Sequence, residues 1–132
     1  MEKYVFSFFK FFLVSIMAFF APIYFSLMFV VVLVVVDTVT GVMKAGKKDV
    51  KNITSKKLFA FVPKLIIYLL FVIVANFGNN VIDKSIPFVK LAIMGIGWIE
   101  IKSIDENFRD IFGFSFIDKI LDSVKIISNL RK

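Results

Sequence analysis

Asp37-Thr38-Val39-Thr40-Gly41, followed by Lys44, Lys47, Lys48 and Lys51, then Ser55-Lys56-Lys57 and finally Lys64, is the only strongly polar passage in the first 80 residues. A long apolar run flanks it on each side. Upstream, no charged residue occurs from Phe11 to Val36, which exceeds the roughly 20 residues a helix needs to cross a bilayer. Pro22 interrupts that run. Proline removes a backbone donor and suits the first turn of a new helix, so the first span is predicted over about 22–43. Downstream, Leu65 to Ile82 is uncharged and predicts a second span over about 58–82, with Lys64 snorkelling toward the interface. The passage between them becomes a loop joining two membrane helices.

Composition supports this reading. Hydrophobic residues make up 59% of the chain, where about 45–50% is usual. Eighteen phenylalanines contribute to a mean hydropathy of +0.88. A soluble domain of this length could not hide so much apolar surface, because small domains bury only about two-thirds of what the unfolded chain exposes. The fold class expected is all-α: one small integral membrane domain with two to three transmembrane helices and amphipathic terminal helices. The net charge of +7 sits in clusters beside apolar runs, as juxtamembrane lysines do, and not along a basic face suited to nucleic acid. With no Cys and no His, thiol and imidazole catalysis and Cys/His zinc sites are excluded. No catalytic residue, cofactor or metal is expected.

Residues 1–21 form a Phe-rich segment in which Lys3, Ser7 and Lys10 share one helical face. An interfacial helix is preferred there, because a crossing would carry Lys10 toward hydrocarbon at about 2.5–3.5 kcal/mol. The apolar stretch that follows is too long for a signal-peptide core. Residues 22–113 form the membrane domain, and 114–132 an amphipathic helix with a basic tail.

Asp37 either marks the interfacial end of its span or pairs with a lysine of this or a neighbouring chain. Thr38 and Thr40 can bond to the preceding turn, and Gly41 loosens it. Lys44, Lys47, Lys48, Lys51, Lys56 and Lys57 read as a cytoplasmic basic loop by the positive-inside rule. Asn76, Asn79 and Asn80 either bond between helices or lie in wet headgroup territory, the latter preferred for Asn79 and Asn80. A turn follows at Asp83 to Pro87. Leu91 to Ile99 is short for a span, so a third crossing over about 86–104 stays open. Beyond it, Glu100, Ser103 and Asn107 fall on one helical face and predict a polar seam between helices, with Glu106 and Arg109 three apart elsewhere. Gly113 breaks the pattern. Ile117, Ile120, Leu121, Val124 and Ile127 then form an apolar stripe, with Asp118, Lys119, Asp122 and Lys125 facing away. That helix packs on its own bundle, lies on lipid, or turns its polar face to a pore.

In order and spacing these motifs resemble the phage holins of the toxin-secretion/phage-lysis family. The correspondence runs from about residue 30 to 125: Asp37 to Gly41 at a span end, Ser55-Lys56-Lys57, Lys64, and Glu100 to Asn107 followed by Gly113. Lys102 and Asp105 depart from it, falling where the family more often carries apolar residues. The resemblance implies a protein that accumulates in the bacterial cytoplasmic membrane as a homo-oligomer among lipid and opens lesions for an endolysin or toxin. Asp37, Thr40, Gly41, Lys64, Glu100, Ser103, Glu106 and Asn107 are then candidate inter-helix or pore contacts. The competing reading is an antiholin or a non-lytic export or assembly subunit. Met17 as an alternative start would remove Lys3 and Lys10 and give a second product.

Overall fold

A computed structural model describes residues 2–49, 54–55, 59–82 and 85–130, with side chains described except at 2 and 128–130. The expectations for Lys51, Lys56, Lys57, Asp83 and the basic tail lie outside the described residues. The described chain is helical and contains no strand.

Helix α1 spans Glu2–Phe20 and passes through a 3-10 turn, Ala21–Ile23, into α2, Tyr24–Lys48. Pro22 sits in the turn, where its missing donor costs least. The 3-10 turn carrying Pro22 thus divides α1 from α2. Helix α2 also ends later than the sequence predicts. Lys44, Lys47 and Lys48 belong to its last two turns, not to a loop. Cations there complement the negative end of the helix dipole, and no proline stops the helix after Met43.

Helix α3 spans Phe61–Val81 with Pro63 in its first turn, and α4 spans Phe88–Phe112 directly after Pro87. Gly113 ends α4 in the left-handed region at φ 79°, its N–H donating to the Arg109 carbonyl at 2.9 Å. Only glycine takes that conformation without strain. Helix α5 follows at Phe116–Leu130.

Helices α2, α3 and α4 form the bundle. The α3 helix runs antiparallel to the other two, which lie parallel and make the closest pairing. Ile23, Val30, Val34, Val72 and Ile96 pack at the centre. The α3–α4 turn is held by Asn79, whose Nδ2 donates to the Ile86 carbonyl at 2.9 Å while Oδ1 accepts from the Val89 N–H at 3.0 Å. Asn79 therefore bridges two helices, satisfying an otherwise orphaned donor at the start of α4. This goes beyond the headgroup setting expected for it.

The surface is inverted relative to a soluble protein. The accessible area is 10232 Å², against about 7,100 Å² for a compact soluble chain of this mass. Phe25, Val32, Ile67, Phe71, Val74 and Met94 point outward, while Thr40, Asn76, Glu100, Asp105 and Asn107 are buried. Among the described residues two helical stretches are long and apolar enough to cross a membrane: Lys3–Lys48, whose most apolar 18 residues have a mean hydropathy of 2.7, and Phe61–Val81, whose most apolar 18 reach 2.1. Neither buries much of its surface inside the protein. Helix α1 is exposed from Lys3 to Ala18 and meets the bundle through Phe19, whose ring lies 5.1 Å from that of Phe77.

Candidate functional site

The three bundle helices meet at a charged centre. Helix α2 presents Asp37 in its fourth turn, α3 presents Lys64 in its first, and α4 presents Glu100 midway along. The Lys64 Nζ lies 2.7 Å from Asp37 Oδ2 and 2.8 Å from Glu100 Oε2. One ammonium thus joins two carboxylates from two other helices. Glu100 is completely buried, and its other oxygen, Oε1, accepts the Tyr68 hydroxyl at 2.8 Å. Tyr68 stands four residues after Lys64, so both donors share one face of α3.

A second layer of polar contacts lies beside this triad. Asn107 Nδ2 donates to Thr40 Oγ1 at 3.1 Å and to Asp37 Oδ1 at 3.3 Å. Thr40 donates to the Asp37 carbonyl at 3.0 Å, and Thr38 to the Val34 carbonyl at 2.7 Å. Gly41 lies against the same amide: a Cβ there would stand 3.7 Å from Asn107 Nδ2. Ordinary van der Waals contact would result, so Gly41 leaves room without enforcing the approach.

Above the triad a cleft of about 360 Å³ is lined by Asp37, Thr38, Gly41, Lys64, Ser103 and Asn107, with Ala45 and Ala60 toward the lysine-rich end. Ser103 and Asn107 line the cleft, and Glu100 is buried among the helices. Asp37 follows the uncharged stretch of α2 and pairs with a lysine of its own chain. Glu106 is exposed and stands outside the cluster. Its expected neighbour Arg109 turns instead toward Asp105, at 3.6 Å, and Asp118, at 3.7 Å. Tyr68 was missed by the sequence reading, although its i+4 spacing from Lys64 is a legible signal.

The lysine-rich end is tied down separately. Lys44 pairs with Asp110 at 2.7 Å and Lys47 donates to the Ile111 carbonyl, joining the last turns of α2 and α4. At the start of α5, Ser115 Oγ donates to Asp105 Oδ2 at 2.8 Å and accepts from the Asp118 N–H at 3.0 Å. Asp105 Oδ1 accepts from the Ile117 N–H at 3.1 Å. Asp105, a departure from the resemblance, is thus the residue that caps and positions α5.

Among the described residues no group of acidic side chains could hold a metal ion. The arrangement neutralises charge between helices that otherwise present apolar surface outward. Compared with known sequences, the chain from residue 14 to 129 matches the family described as the bacteriophage holin family. No curated protein and no solved structure matches it.

Proposed function

Because the chain belongs to the bacteriophage holin family, its role is of the phage-holin type, and we propose that it oligomerises in the bacterial cytoplasmic membrane and opens lesions. An endolysin or toxin leaves through them, and no chemical step is assigned to the chain itself. The observation that carries this reading is the inverted bundle, apolar outside and joined inside by Asp37, Lys64 and Glu100. Such a unit is soluble in lipid as a single copy. Charged groups pay heavily for lipid contact, and a rearrangement that re-pairs them between copies or hydrates them would line a lesion.

The proposed topology is multi-pass. Helices α2, α3 and α4 cross, and the positive-inside rule puts the Lys44–Lys48 end in the cytoplasm. Within α4, Glu100 is hidden from lipid, so the outward face is uncharged from Leu91 to Ile101. This favours the third crossing that the sequence alone leaves open. The continuous Lys3–Lys48 stretch of 46 residues would be about 69 Å long at 1.5 Å per residue, more than twice the roughly 30 Å hydrocarbon core. Helix α1 then lies along the outer interface, its aromatics among acyl chains.

One observation favours a second, regulatory product. Helix α1 contributes little to the bundle, so translation from Met17 would keep the bundle helices and the charged centre. A single translation product would sink that reading.

The test is inducible expression in a bacterium, following membrane potential and growth with and without a co-expressed cytoplasmic endolysin. Abrupt depolarisation, with lysis only when the endolysin is present, is expected. Stable insertion without depolarisation would instead favour an antiholin or a structural membrane partner.

A further inference from the structure

Helix α5 plays no part in the charged centre, yet its start is fixed with unusual care. Asp105 and Ser115 between them bond the Ile117 and Asp118 N–H groups, and Gly113 turns the chain at φ 79°. Beyond this corner the apolar stripe is uncovered by any of the described residues: Ile120, Leu121, Val124 and Ile127 are 52–65% exposed. The possibility that this helix packs on its own bundle is therefore removed.

We propose that α5 lies in the plane of the membrane at the lysine-rich end of the bundle, with its stripe among the acyl chains of the same leaflet. This rests on the membrane-spanning reading above and extends it to the C-terminal segment. Three observations select lipid as the occupant. Position comes first, because α4 hands the chain to α5 three residues after Asp110, which is paired to Lys44. The stripe therefore starts where the lipid-facing surface of the bundle ends, and continues it.

The corner itself is aromatic. Phe108, Phe112, Phe114 and Phe116 form one cluster with ring centroids 5.2–6.2 Å apart, and Phe112 and Phe114 are substantially exposed. Phenyl rings carry no polar tip to keep wet and, exposed at the start of an amphipathic helix, suit the acyl side of the interface. Finally, the polar face is built to stay wet. Lys119 reaches over the Phe114 ring, 3.8 Å from its centroid, and Lys125 pairs with Asp122 at 3.4 Å. An apolar stripe opposite a charged face that returns its cations toward water describes an interfacial helix.

The chain contains no cysteine, so a single introduced one carries a label to a single place. The full chain is reconstituted in vesicles of phosphatidylglycerol and phosphatidylcholine as four variants: Val124→Cys, Ile120→Cys, Asp122→Cys and, on the outward face of α3, Val74→Cys. Each carries an environment-sensitive fluorophore, read by aqueous iodide quenching and by quenching from brominated acyl chains. The labels at Val124 and Ile120 are expected to be quenched several-fold less by iodide than that at Asp122, and to be reached by the bromolipid at a shallower depth than that at Val74.

Equal iodide quenching at Val124 and Asp122, with Val74 protected, would overturn the proposal while leaving the spanning bundle intact. Protection at Val124 that disappears on dilution in lipid, with disulfide cross-links between unlabelled Val124→Cys chains, would also overturn it, in favour of a second copy. Iodide access at Val74 would refute the spanning bundle and this inference together.

Discussion

The two ends of the bundle are held in different ways. Toward the α3–α4 turn, Ile23, Val30, Val72 and Ile96 pack by shape, and an apolar groove of about 470 Å³ between α3 and α4 runs past Ala75, Gly78, Ala92 and Gly95. In lipid such contacts gain little from hydrophobicity, since acyl chains are equally apolar, and they tolerate sliding. Toward the lysine-rich end, Lys64 meets one carboxylate from α2 and one from α4, which ties the three helices at one level. The apolar end supplies area and the polar end supplies register. On the proposed lesion-forming role, the charged end is where two arrangements can differ in energy.

That contrast sets the order of expected effects. Lys64→Ala should be the most damaging, since it leaves Glu100 and Asp37 facing each other; a loss of about 3 kcal/mol is expected for breaking a buried pair. Thermal unfolding in detergent would register it, and a wild-type melting profile would deny the triad a structural role. Next comes Tyr68→Phe, which removes one hydrogen bond to a buried carboxylate, worth about 1.5–3 kcal/mol. Its effect should vanish in a Glu100→Met background, which offers the hydroxyl no oxygen, and an undiminished effect there would disconnect the two residues. Val72→Ala, at the apolar end, should cost about 1 kcal/mol and leave the timing of depolarisation unchanged. A shift in timing as large as that from Glu100→Gln would erase the distinction between the ends.

The smallest effect is reserved for Gly41→Ala, whose added methyl meets only ordinary contact at 3.7 Å; about 0.5 kcal/mol or less is expected.

Much of this was legible before any coordinates. Charge spacing located α2, α3 and the polar seam of α4, because in a chain this apolar each charge must be explained. Partner choice was less visible. Lys44, Lys47 and Lys48 read as a loop because clustered lysines follow an apolar run, but Asp110 and the Ile111 carbonyl, distant in sequence, hold them on a helix. Arg109 was set beside Glu106 by local spacing and goes instead to Asp105 and Asp118, across a corner that Gly113 creates. Asp105 read as a misplaced polar residue because its role depends on Ser115 and on a helix start that lies beyond that turn. In each case local periodicity found the helix, while the partner came from tertiary approach.

The most direct test of the charged centre compares Lys64→Met alone with the triple variant Lys64→Met, Asp37→Asn, Glu100→Gln. Both are followed for membrane accumulation and for thermal unfolding in detergent. The single variant should accumulate poorly and unfold early, and the triple variant should recover much of the loss, because removing all three charges leaves no unpaired carboxylate in the bundle. A single variant that behaves as wild type, or a triple variant no better than the single one, would contradict the claim that one lysine shared by two carboxylates holds the three helices in register.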